Sequence, residues 1–325
     1  MKPIIALLLA AVSLVVPAPA HAGATPTETT IHLALNWKPE PEFGGFYAGN
    51  LPDGAYVKKK LKVELLPGGA GQPVPQMVAA GTVEFGIANA DEVLIARARG
   101  ADIVALFAVY QTYPQGIMTH AAKGFKSLED VFNSDSTLAI EKGSPYATYL
   151  FNKYGKGKLK VVPYTGGVAS FLHDPNFAQQ CFVTSEPLAA KKEKGDPKTF
   201  LIADAGFNPY TTVVIASGKT VREKRELVKR LVASTREAWQ DYLKNPAPAN
   251  ERMQKLNNSM DLATFNEISE VQKSLIETPE TRRSGLGVMN VDRWTALGKQ
   301  LADLKVIDKS PAPAQVKEAF LQPAK

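Results

Sequence analysis

A chain of 325 residues with one cysteine and a formal net charge of +6 is long enough for two lobes, and it excludes an intramolecular disulfide or a cysteine metal cluster. Its densest basic run, Lys58 to Lys60 with Lys62, reads as a solvated face at a helix-to-strand corner, so nucleic acid is not an expected partner. His32, His120 and His173 lack metal-ligand spacing, and His32 reads as a core residue of a buried strand.

The chain begins with Lys2, an apolar run from Ile4 to Val16 broken only by Ser13, and the prolines Pro17 and Pro19. Ala20-His21-Ala22 then gives a small-x-small cleavage pattern, so residues 1–22 read as an export signal. The apolar run is too short for a membrane anchor, and no later stretch reaches the roughly 20 apolar residues that a span requires. The expected mature protein starts near Gly23 and is periplasmic.

Beyond a polar leader, Ile31 to Leu35 predicts a first strand, Phe43 to Leu51 and Tyr56 to Leu61 two short helices, and Lys62 to Leu66 a second strand. A Gly68 to Gly71 turn follows. Helices are then expected over Val74 to Ala80 and Ala90 to Arg99, with strands over Phe85 to Ala88 and Ile103 to Tyr110. Further strands are read at Gly116 to His120, Thr137 to Ile140, Lys158 to Val162, Gln180 to Val183, Thr199 to Ile202 and Thr211 to Ala216. Short helices separate them: Ser127 to Phe132, opened by Ser127 as cap, then Pro145 to Tyr154 and Val168 to Leu172. This alternation with short connections points to parallel α/β sheets. From Val221 the pattern becomes helical, with amphipathic stretches at Glu223 to Lys244, Leu262 to Leu275 and Val291 to Leu304.

In open α/β sheets, ligands bind beyond the carboxyl ends of strands. The best-marked loop there runs from Leu35 to Ala48. Asn36 offers donors and an acceptor, Trp37 a flat face, and Gly44-Gly45 room for close approach. Three glycine-containing turns also open helices: Gly68 to Gln72 with Gly69, Gly143-Ser144-Pro145, and Thr165-Gly166-Gly167. The Thr184-Ser185-Glu186-Pro187 loop adds a carboxylate, and aromatics cluster near strand ends at Tyr110, Tyr113, Tyr146 and Tyr164. Tyr47 closes the segment after the first strand, and Tyr210 stands where the chain would leave the middle lobe. There is no G-x-S-x-G elbow, H-E-x-x-H pair, P-loop or dinucleotide fingerprint, and Ser144 has no paired histidine. The reading is therefore a non-enzymatic protein without a cofactor.

The segment Asn36-Trp37 to Tyr47-Ala48, the glycine turn, Val83 to Asp91 and Thr184 to Pro187 together resemble the periplasmic binding proteins for thiamine pyrimidine precursors, alkanesulfonates and taurine. The eukaryotic pyrimidine-precursor synthases are relatives of that group. The likeness spans nearly the whole mature chain and adds Asn89 and Asp91 to the candidate site. It implies the type II periplasmic-binding fold, an α/β architecture of two lobes with a ligand cleft and two crossing strands. Lobe one would comprise residues 23–115 and 211–325, lobe two residues 116–210. The implied function is capture of a small heteroaromatic ligand, as a monomer, for an ABC transporter permease in the inner membrane. By the same resemblance, Asn36 and Trp37 contact the ligand from lobe one and Glu186 from lobe two. A sulfonate, taurine or other small anion is the alternative ligand, and a synthase-like enzyme the alternative of another class. The chain lacks the synthases' cysteine-rich motif and their histidine, and it has Phe43 where pyrimidine-binding members often have histidine.

Overall fold

The computed structural model describes residues 28–69 and 71–321, so the signal segment and its cleavage site lie outside the described residues. Ten strands are present among them: β1 Thr29–Ala34, β2 Leu61–Leu66, β3 Phe85–Ala88, β4 Ile103–Tyr110, β5 Gln115–His120, β6 Thr137–Ala139, β7 Lys160–Val162, β8 Phe177–Phe182, β9 Pro197–Leu201 and β10 Thr211–Ser217. They form two five-stranded sheets, ordered β2-β1-β3-β10-β4 and β7-β6-β8-β5-β9. The chain leaves the first sheet after β4 and returns to it at β10, which makes two lobes joined by segments 111–114 and 202–210.

Neither sheet is purely parallel, as the strand–helix alternation suggested. In each, one strand runs against both neighbours: β10 against β3 and β4, and β5 against β8 and β9. Both reversed strands directly follow a crossing. The passage between lobes supplies the reversal that a helical crossover within one sheet does not.

Alternating burial in β1 puts Ile31 and Leu33 in the core and turns His32 the other way, between Glu64 and Glu84 at 3.3 and 3.1 Å. His32 is thus a half-exposed ion-pairing residue, because side chains alternate across a strand. The helix Pro145–Tyr154 begins on proline and stops at Gly155, whose φ of 74° ends it. Ser127 Oγ accepts the Asp130 N–H at 3.2 Å and caps Leu128–Phe132. The helix expected over Glu223 to Lys244 is two helices, Gly218–Glu223 and Arg225–Lys244, interrupted at Lys224. Ser217, which accepts the Thr220 N–H, starts the first of them earlier than the periodicity implied. Ala247–Leu256, Pro279–Ser284 and Pro313–Glu318 were not anticipated. Each carries a proline in its first turn, where proline opens a helix instead of breaking it.

The C-terminal helices cover lobe one. Arg225–Lys244 buries Trp239 and Tyr242 against the short helix Gly44–Gly49. A Cβ on Gly44 would lie 2.0 Å from the Tyr242 ring, and one on Gly45 2.3 Å from Trp239. The glycine pair therefore admits these two rings, not a ligand. The chain ends back on lobe one's sheet, where Leu321 N–H donates to the Ala105 carbonyl at 2.7 Å.

The crossing segments are tied to each other. Tyr113 N–H donates to Asn208 Oδ1 at 2.8 Å, and Arg293 donates to the same oxygen and to the Asn208 carbonyl at 2.9 and 2.8 Å. The Arg293 guanidinium also lies 3.8 Å from the centre of the Tyr210 ring.

Candidate ligand-binding cleft

A cleft of about 620 Å³ opens between the lobes, beyond the carboxyl ends of β1 and β8. Lobe one contributes Trp37, Glu40, Pro41 and Glu42 from the loop after β1, with Gly71 and Ile268. Lobe two contributes Gln115, Glu141, Tyr164, Gly166 and Gly167, and the run Gln180 to Phe182 with Thr184 to Glu186. Four carboxylates thus line the cleft, and no Lys, Arg or His among the described residues does.

The lobe-one loop is fastened through its backbone. Gln272 Nε2 donates to the Pro41 carbonyl at 3.0 Å while its Oε1 accepts the Tyr110 hydroxyl at 2.6 Å, and Asn257 Nδ2 donates to the Pro39 carbonyl at 3.1 Å. Its side chains are left loose. Trp37 is 38% exposed, Glu40 is held only by the Trp37 side chain and a long contact from Asn257 at 3.5 Å, and Glu42 accepts no hydrogen bond from the described residues. Loss of solvent pushes the Glu40 carboxyl up to about 7, opposed by Trp37, Lys38 and Asn257, and pushes Glu42 up to about 8, with repulsion from Glu40 added.

Lobe two is wired more tightly. Glu186 opens the helix Glu186–Lys192 instead of standing in a loop. Its Oε1 accepts the Tyr164 hydroxyl at 2.5 Å and its Oε2 accepts the Phe182 N–H at 2.8 Å. Gln180 Oε1 accepts both the Tyr146 hydroxyl and the Glu141 N–H at 2.6 Å. Burial pushes the Cys181 thiol well above its ordinary range, with Glu186 adding to the effect, so the thiol is held neutral. Contacts also span the lobes. Phe182 meets Tyr110 edge-on at 6.4 Å, and Lys192 bridges to Asp261 at 3.1 Å and to the Thr264 hydroxyl.

Of the candidate residues read from the sequence, Trp37, Gly166 and Glu186 line the cleft. Asn36 adjoins Trp37 with its Oδ1 enclosed and unpartnered, Thr165 is the exposed neighbour of Gly166, and Gly69 lies two residues before Gly71. Ser144 is turned to its own loop, donating to the Glu141 carbonyl at 2.7 Å. Asn89 caps the helix Ala90–Ala98, and its Oδ1 accepts the Thr212 N–H at 3.4 Å. Asp91 is buried beside it with an unpartnered Oδ1, and desolvation pushes its carboxyl up to about 7, with Glu92 adding to the rise. Tyr47, Tyr110 and Tyr210 are packed into the core and do not line the cleft. Gln115, Glu141, Gln180, Cys181, Phe182 and Ile268 line it without having been singled out. The doublet Gln179-Gln180 inside an otherwise apolar strand is the one local signal that pointed there.

Two mixed α/β sheets, two crossings and a cleft between lobes define the type II periplasmic-binding fold. The SsuA aliphatic sulphonate binding protein from Escherichia coli shares it at a TM-score of 0.68 and 12% identity, over 93% of this chain and 94% of that one. A family model described as NMT1/THI5 like matches residues 40–249, and the chain belongs to that family. It is 21% identical to the riboflavin-binding protein RibY of Chloroflexus aurantiacus, over 94% of this chain and 87% of that protein. It is also 21% identical to the formylaminopyrimidine-binding protein of Halalkalibacterium halodurans, over 90% and 89% respectively.

Proposed function

We propose that the protein is the exported, periplasmic solute-binding component of an ABC importer. It captures a small, flat, amine-bearing heteroaromatic ligand, such as a thiamine pyrimidine precursor, and presents it to an inner-membrane permease. The carrying observation is the lining of the cleft: Glu40, Glu42, Glu141 and Glu186 supply acceptors, Trp37, Tyr164 and Phe182 supply ring faces, and no Lys, Arg or His among the described residues lines it. Carboxylates bind amine N–H donors strongly, and ring faces stack on a flat heterocycle. Riboflavin and formylaminopyrimidine, for which the two relatives are named, are both flat nitrogen heterocycles. Ligand contacts to both walls favour a closed arrangement about segments 111–114 and 202–210.

A sulfonate fits this lining poorly. Ser144 at the start of Pro145–Tyr154 faces its own loop, the helix after Gly167 has five residues, and a buried anion beside four carboxylates is repelled. Catalysis is not favoured either, since no histidine lines the cleft and the Cys181 thiol is kept neutral. Titration with formylaminopyrimidine, riboflavin and taurine, followed by tryptophan fluorescence and calorimetry, tests the reading. The expected result is saturable binding of formylaminopyrimidine, returned unchanged, and none of taurine. Preferential binding of taurine would overturn it.

A further inference from the structure

An ionised carboxylate only accepts, so a ligand that presents an acceptor beside the amine it holds needs a different group as donor. Gln180 occupies that position. It is 8% exposed and lines the cleft from β8. A carbonyl oxygen has two lone pairs, and both of those on Gln180 Oε1 are taken, by the Tyr146 hydroxyl and the Glu141 N–H, each at 2.6 Å. Rotating the amide by half a turn would set its NH2 group against the Glu141 N–H, which can only donate, so the orientation is fixed. Nε2 has no partner among the described residues, and it is not among the enclosed polar atoms left without one, so it opens onto the cleft. Four residues on, Thr184 is 4% exposed and lines the same wall.

We infer that Gln180 is the specificity-determining donor of the cleft, its NH2 group binding a ring nitrogen of the ligand beside the amine that the carboxylates hold. This rests on the function proposed above and deepens it. An exocyclic amine next to a ring nitrogen presents a donor and an acceptor along one edge. Glu186, from the helix that follows β8, and Gln180, from β8 itself, supply the complementary pair. Tyr146 and the Glu141 amide act as positioning groups. They saturate the carbonyl and leave the amide nothing to do but donate. A buried NH2 group without an acceptor is costly, and a carbocyclic ligand would leave it so.

The test compares two probes in calorimetric titrations of the full chain. One is formylaminopyrimidine, and the other is the same molecule with its ring nitrogens replaced by C–H. The wild-type protein is expected to prefer the pyrimidine by tenfold or more. In Gln180→Met, which keeps the length and loses the amide, that preference is expected to fall to about twofold or less. A merely structural role would lower the melting temperature and leave the preference intact. Should Gln180→Met fail to fold, Gln180→Glu at pH 9 decides, because it keeps an oxygen for Tyr146 and the Glu141 N–H and puts a charged acceptor in place of the donor. An unchanged preference in either folded variant overturns the inference and leaves the function standing. A wild-type protein that binds neither probe removes both.

Discussion

On the lobe-two side of the cleft, the Gln180 carbonyl and the Glu186 carboxylate are each held by two donors. Tyr146 and the Glu141 amide hold Gln180, and Tyr164 and the Phe182 amide hold Glu186. On the lobe-one side the backbone is pinned by Gln272 and Asn257, yet Trp37 stands out into the cleft and Glu42 has no hydrogen-bond partner among the described residues. The difference follows from construction. Lobe two builds its wall from a central strand and the helix directly after it, and their hydrogen-bond partners lie within the same lobe, 4 to 39 residues away. Lobe one builds its wall from a loop whose partners come from helices more than 200 residues further on. A satisfied wall is pre-organised and couples binding to stability, whereas a loose one is free to adapt or to titrate.

The largest expected effect falls on lobe two. Glu186→Gln keeps a carbonyl oxygen for the Phe182 N–H and leaves the Tyr164 hydroxyl to accept from the new NH2 group, so both charge-assisted bonds are lost. The apo protein should melt several degrees lower, and ligand affinity should fall, with each lost charge-assisted bond worth about 1.5–3 kcal/mol. Thermal melts with and without formylaminopyrimidine check this. A variant with full apo stability would show that the internal bonds of Glu186 carry little weight.

Lobe one should behave in the opposite way. Trp37→Ala removes a side chain that is 38% exposed, so the apo melting temperature should hardly change. Affinity should fall by about 1–3 kcal/mol if the indole stacks on the ligand as aromatic side chains do on nucleobases. Trp239 and Trp294 are buried, so a ligand-induced fluorescence change in the wild type should disappear in this variant. A drop in stability without a drop in affinity would erase the contrast between the walls.

Much of this was legible in the sequence, for reasons that are local. Strand and helix periodicity marked Phe85–Ala88 and Pro145–Tyr154 to the residue, and the loop after β1 marked Trp37. What escaped is non-local. Gln180 meets the Glu141 amide only because β6 pairs with β8 in a particular register, with Ala139 opposite Gln179. The orientation of Tyr110 is set by Gln272, 162 residues away, and that of Tyr210 by Arg293 and Asn290. Aromatic residues at strand ends carry no local mark of which face a later helix will cover. Gly44-Gly45 shows the same limit, since small residues beside a loop serve equally for a ligand or for two rings of a distant helix.

The smallest expected effect is the dependence of affinity on pH, and it belongs to lobe one. Desolvation raises the Glu40 and Glu42 carboxyls from an ordinary 4.5 to about 7 and about 8, so in the unliganded cleft both are partly protonated near neutrality. Binding an amine donor requires the ionised form, and any proton present must first leave. Affinity should therefore rise with pH through this window and level off above it. One such carboxyl predicts a gain of about two- to fivefold between pH 7 and pH 8, with protons released on binding. Calorimetry with formylaminopyrimidine in two buffers of different ionisation enthalpy measures that release directly. Glu42→Gln should reduce both the release and the slope. Proton uptake, or a flat profile between pH 7 and pH 9, would mean that these carboxyls stay protonated and donate to the ligand, so that lobe one would recognise an acceptor instead of an amine.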